Sequence, residues 1–319
     1  MYCGRVTARR LALCISAVAG LTVVAAAPAI PLGVYGNTAR FDRLTGQRTE
    51  SGETYLAWDQ GRTWGSPYSY FLGSLGEKPH ITLKTAKGGG ITPQGIARGK
   101  GDAHLIGLAL AIAEAAKPVY IRPLAEMNNE RNPYCAFYAN GRPKGGGITA
   151  AWYRKAFQRI YILMHGGSAK AMSARLRALG MPGVKTDVPA NRYPNLTVIW
   201  NPLAVGVPDV SGNHFRSYFP GLKYFDAYGN NYYDTSGVYA FHRTEELYKT
   251  YKTKPFMFPE WGLTIDDPGF IKAFAGFVRT HRRVRFISFF NGPAGGSYDI
   301  GTKPKSRAAY RRFIVPLHG

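Results

Sequence analysis

Two glutamates stand where short apolar runs end. Glu126 follows Val119–Leu124 and Ala125, and Glu260 follows Phe256-Met257-Phe258-Pro259. An acetal is stable to base, so cleaving one takes an acid to protonate the leaving oxygen and a carboxylate to meet the oxocarbenium-like centre. The residues at the other strand ends suit a sugar. Tyr35, Trp200, Tyr232, Tyr233 and Trp261 offer flat aromatic faces, while Asn128, Asn201, Asn291 and Arg122 offer partners for hydroxyls. One glutamate must stay protonated and the other ionised, which requires different surroundings. Arg122 precedes Glu126 by four residues on an alternating strand, so it points to the same side, and its charge would hold Glu260 ionised. The chemistry these residues predict is cleavage of a glycosidic bond. The plainer roles are an Arg122–Glu126 ion pair, core tryptophans and turn asparagines, which only a shared location would raise to a site.

A shared location requires a scaffold. Candidate strands recur at Leu32–Tyr35, Tyr68–Leu72, His80–Thr85, Val119–Leu124, Leu196–Trp200, Tyr224–Tyr228, Pro255–Pro259 and Arg285–Phe290. Helical patterns lie between several of them, at Asp102–Lys117, Trp152–His165, Glu245–Lys252 and Phe270–His281. The first starts on Asp, ends on Lys and is followed by Pro118, as a helix boundary should be. Repeated strand–helix units imply parallel strands, and eight of them predict an α/β fold, a single (β/α)₈ TIM barrel. Active sites of that fold lie at the C-terminal ends of the strands. Every candidate above falls at or just beyond such an end.

The first 29 residues are expected to leave. Arg5, Arg9 and Arg10 precede an apolar run from Leu11 to Val24, and small residues follow at Ala25-Ala26-Ala27-Pro28-Ala29. This is the pattern of a secretory signal peptide, too short in its apolar core for a membrane span. The catalytic domain is then 30–319, in a secreted, extracellular protein expected to be a monomer. The whole chain of 319 residues carries 41 Lys and Arg against 19 Asp and Glu. Without the leader's three arginines, 38 basic residues face 19 acidic ones, a charge of +19. Such an excess suits association with an anionic cell wall or acidic groups on a substrate; an exported chain gives no reason to expect nucleic acid. Cys135 is left alone in the mature chain, so no internal disulfide forms.

The segments Ile121–Asn128, Leu196–Pro202, Tyr224–Asp234 and Lys254–Gly262 resemble the corresponding blocks of glycoside hydrolase family 26, which holds β-mannanases and related endo-acting β-glycanases. The resemblance implies Glu126 as general acid/base, Glu260 as nucleophile and a retaining double displacement, without a cofactor. It also matches the motif Tyr-x-Asp-x-x-Gly-x-x-x-Tyr to Tyr224, Asp226, Gly229 and Tyr233, making Tyr233 the hydrogen-bond partner of the nucleophile. Two positions depart from the family: Ala125 stands where His is usual before the acid/base, and Asn291 where Trp often follows strand eight. Both bear on which sugar is held, with β-mannan first and mixed-linkage β-glucan or xylan next. A catalytically weak glycan-binding barrel and a basic exported protein that binds anionic polymers are the alternatives.

Other chemistries lack their signatures. The seven His show no metal-ligand spacing, and neither a GxSxG elbow nor a dinucleotide fingerprint is present. The hexamer KGGGIT occurs at Lys87–Thr92 and Lys144–Thr149, and both copies are expected to rim the cleft, each with a Lys.

Overall fold

Eight parallel strands close on themselves in sequence order in the computed structural model, each hydrogen-bonded to the next and β8 back to β1. The structure describes residues 1–2, 29–58, 68–85, 90–234 and 241–318. Residues 3–28 of the expected leader and Lys87 of the first KGGGIT copy lie outside them. The strands are β1 Leu32–Tyr35, β2 Ser51–Ala57, β3 His80–Lys84, β4 Val119–Pro123, β5 Leu196–Trp200, β6 Ala227–Tyr233, β7 Phe256–Gly262 and β8 Val284–Phe290. The helices around them are α1 Thr38–Thr45, α2 Tyr68–Ser74, α3 Pro93–Ala97, α4 Asp102–Ala115, α5 Ala150–His165, α6 Ala169–Arg177, α7 Phe241–Thr250, α8 Pro268–Thr280 and α9 Pro304–Phe313. Between β5 and β6 the described connection holds only 3₁₀ turns. The (β/α)₈ barrel is therefore the fold of this chain.

Two strands differ most from expectation, and β7 runs on to Gly262, so Glu260 lies within it rather than beyond it. The second is Ser51–Ala57, not Tyr68–Leu72, which is helical. Tyr68 and Leu72, four apart, are the buried pair of α2, while Tyr70 is 62% exposed. The apolar residues of this run have helical spacing, which suits one buried face of a helix better than a strand. The true β2 hid because it points Glu53 and Tyr55 into the barrel, leaving little apolar signal in SGETYLA. The sixth strand runs Ala227–Tyr233, and Tyr224 closes a 3₁₀ turn ahead of it. Its Gly229-Asn230-Asn231 core looks like a turn. Yet a Cβ on Gly229 would lie 2.3 Å from the Met257 carbonyl oxygen, so only glycine lets β6 approach β7 there.

Alternation along each strand sorts side chains into barrel interior and helix-facing shell. Tyr120, Ile199, Ala227, Met257 and Phe286, from five strands, fill the interior as one cluster. His80 meets Tyr120 and Phe286 edge-on with them. Toward the C-terminal ends the interior turns polar, with Glu53, Thr82, Arg122, Asn201, Asn231 and Ser288 all buried. The outward residues of the same strands, such as Ile121, Val198, Phe258 and Phe289, join the large apolar shell beneath the helices. Cys135 is free and buried. Among the described residues no helix is long and apolar enough to cross a membrane, and no cluster of His, Cys, Asp or Glu could hold a metal ion.

Candidate active site

Arg122 is the hub of the polar layer. Being on β4 with the inward parity of Tyr120, it lies 1% exposed across the barrel axis. A guanidinium has five N–H donors in a fixed plane, and the barrel supplies acceptors around it. Nε donates to Thr82 Oγ1 at 2.8 Å, and Nη1 to Asn201 Oδ1 at 3.0 Å and Asn231 Oδ1 at 2.9 Å. Nη2 donates to Glu53 Oε1 at 2.8 Å and Glu260 Oε2 at 2.6 Å, with the Tyr55 hydroxyl at 3.3 Å. One cation thus ties β2, β3, β5, β6 and β7 together.

Glu260 sits on this cation at a register shift in β7, between Phe258 and Trp261. It accepts from Arg122, from the Tyr55 hydroxyl at 2.5 Å and from the Tyr233 hydroxyl. Burial would raise its pKa, but the Arg122 charge and these hydrogen bonds outweigh burial and hold the carboxyl below the ordinary glutamate value. Glu260 is the ionised member of the pair.

Glu126 differs in every respect. It lies in the turn after β4 with a left-handed φ of 52°, two residues after Leu124 at 49°, a conformation that costs non-glycine residues roughly 1–3 kcal/mol each. The surroundings hold the turn. The Glu126 N–H donates to the Asn201 carbonyl at 2.7 Å, while Asn132 and Tyr134 donate to the carbonyls of Glu126 and Ala125 at 2.9 and 2.6 Å. Its carboxyl receives only neutral donors, Asn231 Nδ2 at 2.7 Å and Asn129 Nδ2 at 3.0 Å. Burial and then the Glu260 charge raise its pKa. One amide, Asn231, accepts from Arg122 and donates to Glu126, so a single side chain bridges the two environments. Both carboxyls line one cavity of about 640 Å³ at the C-terminal end of the barrel.

A third carboxyl lies beneath. Burial, partly offset by Arg122 and reinforced by the Glu260 charge, raises Glu53 to about 7. Its Oε2 lies 3.5 Å from His80 Nδ1, but burial and then Arg122 push His80 well below its usual range, so the imidazole is neutral. Glu53, Tyr55, Asn129 and Asn231 were not foreseen. Missing β2 hid the first two, and asparagine at a strand position was the available clue to Asn231.

The foreseen residues divide by parity. Tyr233 points inward to Glu260, whereas Tyr232 points out and stacks on Phe241 at 4.6 Å and Phe270 at 5.6 Å. Tyr35 is half-buried at the rim, stacked 4.7 Å from Phe290, which lines the cavity. Trp200 and Trp261 have the outward parity and are completely buried: Trp200 lies against Phe225 and Tyr251, and Trp261 stacks 4.0 Å from Phe274. Neither turns a face to the cavity. Trp261→Ala is expected to lower the unfolding free energy by about 3–5 kcal/mol in urea denaturation; a change in KM with full stability would contradict this placement.

The asparagines are anchors. Asn128 is buried and exchanges hydrogen bonds with the Leu203 backbone, both at 2.8 Å. Asn201 lies under the site on Arg122. Asn291 receives the Ile300 N–H at 3.0 Å and does not line the cavity. Lys144, from the second KGGGIT copy, lies over the Tyr138 ring at 5.8 Å and does not line the cavity either.

No protein-family model matches the chain, and no curated protein matches it. Solved structures do. The chain is similar to the Bacillus subtilis mannanase BCman at 17% identity and a TM-score of 0.55, covering 90% of this chain and 86% of that one. The Bacillus subtilis mannanase man26 is similar at 19% identity and 0.55, with the same coverage. GH26A from Muricauda sp. MAR_2010_75 is similar at 13% identity and 0.54, with 90% of each chain covered. At these identities the likeness establishes a shared barrel architecture.

Proposed function

We propose that this protein is a retaining glycoside hydrolase acting within β-mannan or a related β-glycan, exported after loss of residues 1–29. One observation carries the reading: two carboxyls face one cavity, with Glu260 held ionised by Arg122 and Glu126 raised by burial. A double displacement needs that division of labour. Glu126 gives its proton to the glycosidic oxygen as Glu260 attacks the anomeric carbon, and the leaving sugar departs. Glu126, now ionised, takes a proton from water, which attacks the same carbon and releases Glu260. Two inversions retain the configuration. Tyr233 and Tyr55 hold the attacking carboxylate in place, and the strained turn at Glu126 presents the acid without further rearrangement. The mannanase folds among its structural neighbours favour β-mannan as the first polymer to try.

The test is release of reducing sugar from a panel of β-mannan, mixed-linkage β-glucan and xylan by wild type, Glu126→Gln and Glu260→Gln. Loss of release in both variants supports the reading. Undiminished activity in either overturns it, and binding without turnover in the wild type marks a glycan-binding barrel instead.

The pH dependence follows from the same two groups. The kcat/KM on mannan is expected to fall on the acid side as Glu260 is protonated, and on the alkaline side as Glu126 loses its proton. The Glu126 limb lies above the ordinary glutamate range because its pKa is raised. In Glu126→Gln that limb should vanish. A dinitrophenyl glycoside, whose leaving group needs no proton, should form the glycosyl-enzyme at close to the wild-type rate in pre-steady-state measurements. An alkaline limb that survives in Glu126→Gln would assign it to another group.

A further inference from the structure

We propose that the half of the cleft beside Glu126 binds a sugar bearing a carboxylate, so that the polymer cleaved is an acidic glycan. The proposal rests on the hydrolase reading above and specifies its substrate. It starts from two arginines that line the cavity, Arg131 in the loop after β4 and Arg243 in the first turn of α7. Both are exposed, and among the described residues neither guanidinium has an ion pair or a side-chain hydrogen bond. Other arginines of this chain do find partners: Arg40 pairs with Asp299, Arg159 with Asp102, and Arg122 with both of its glutamates.

Arg131 is anchored to the reaction centre through its backbone, and Arg243 is held beside the β5 loop through its neighbour. Asn129 accepts the Arg131 N–H at 3.2 Å and donates to Glu126 Oε2 at 3.0 Å, so a single amide separates Arg131 from the acid. Thr244, next to Arg243, accepts from Asn230 at 2.9 Å, and Asn230 receives the Ala204 N–H at 2.9 Å, which joins α7 to the β5 loop. Glu130 does not line the cavity, and its N–H is tied to the Val207 carbonyl at 2.7 Å. Of the two glutamates that do line it, Glu260 is already answered by Arg122, and Glu126 alone faces the two arginines. Among the described residues the charge left over on the wall is positive.

The cleft is also asymmetric. Tyr35, Tyr233, Phe290 and Tyr298 gather on the Glu260 side, an aromatic surface suited to a neutral ring. A carboxylate on the ring under attack would repel Glu260. On the departing ring, past Glu126, it would meet guanidinium groups able to take both its oxygens.

The experiment compares three polymers with one β-1,4-mannose backbone: neutral mannan, mannan partly oxidised to carboxylates at C6, and mannan carrying succinyl side groups. The expected result is a kcat/KM at least about tenfold higher on an acidic polymer than on neutral mannan at low salt, shrinking at high salt as exposed charges are screened. Preference for the oxidised polymer places the carboxylate on the backbone, and for the succinylated one on a decoration. The fragments released from oxidised mannan should begin with the oxidised sugar at their non-reducing ends. Arg131→Ala and Arg243→Ala should bring the acidic-to-neutral ratio toward one, whereas Arg312→Ala, outside the cavity, should leave it in place. Cleavage of neutral mannan with no acidic preference, and no response to the arginine changes, overturns this proposal and leaves the hydrolase intact. If no polymer is cleaved, the hydrolase reading fails. Titration of an oxidised manno-oligosaccharide then decides: salt-sensitive binding lost in both arginine variants upholds the acidic half-site, and its absence removes it.

Discussion

Replacing Glu260 by Gln is expected to lower kcat on the best polymer by at least roughly 10⁴-fold, the scale seen when a covalent nucleophile is removed elsewhere. The carboxamide keeps the shape and loses the charge that attacks the anomeric carbon. It also turns one acceptor into a donor amid Arg122, Tyr55 and Tyr233, all of which donate to the native carboxylate. Some stability should therefore be lost, so a second variant separates chemistry from folding. In Glu260→Ala a small anion such as azide can occupy the vacated space and attack the anomeric carbon itself. The expected product from a dinitrophenyl β-glycoside is the α-glycosyl azide, opposite in configuration to the substrate and identified by NMR. A β-azide, or rescue of Glu126→Ala to the α-product instead, would give the nucleophile's role to another group.

The second large effect is on stability. Arg122→Met is expected to cost about 3–5 kcal/mol in urea denaturation, because removing one partner of a buried pair strands the other. Here two carboxyls are stranded, Glu53 and Glu260, along with the acceptors Thr82, Asn201 and Asn231. Arg122→Lys should recover little, since an ammonium cannot donate in one plane to five strands. The origin of the cost is separable. Glu53→Gln added to Arg122→Met removes a stranded carboxyl while keeping an acceptor for Thr82, so the double variant should be more stable than Arg122→Met alone. A strictly additive double variant would mean that Glu53 and Arg122 are energetically independent. In either background the acid limb of kcat/KM should move to higher pH, because Glu260 loses the charge that lowers it.

Seven of the eight strands were legible wholly or in part as apolar or β-branched runs. Burial under helices imposes that pattern on half of each strand. β2 escaped because its inward half serves the site: Glu53 and Tyr55 replace the apolar residues that would have announced it. β6 was half-read for a related reason, since Gly229 and Asn231 answer the close approach of β7 and the needs of Arg122 and Glu126. Local pattern thus fails where the fold spends strand positions on polar work. The tryptophans mark the opposite error. Trp200 and Trp261 flank site residues in sequence, yet a strand turns neighbours to opposite faces, so both entered the helix-facing core.

By itself the sequence determined the barrel and the two strand-end glutamates, because strand–helix alternation and an acid closing an apolar run are local features. Only the tertiary structure decided how those acids differ. Arg122 and Glu126 are four residues apart, but the arginine serves Glu260, 138 residues from it in sequence, and leaves Glu126 to neutral amides. Closure of the sheet made that choice, bringing β2, β6 and β7 around one guanidinium while the left-handed turn after β4 carried Glu126 to Asn129 and Asn231. A carboxyl's working charge depends on what is packed against it, and those neighbours come from the far side of the barrel.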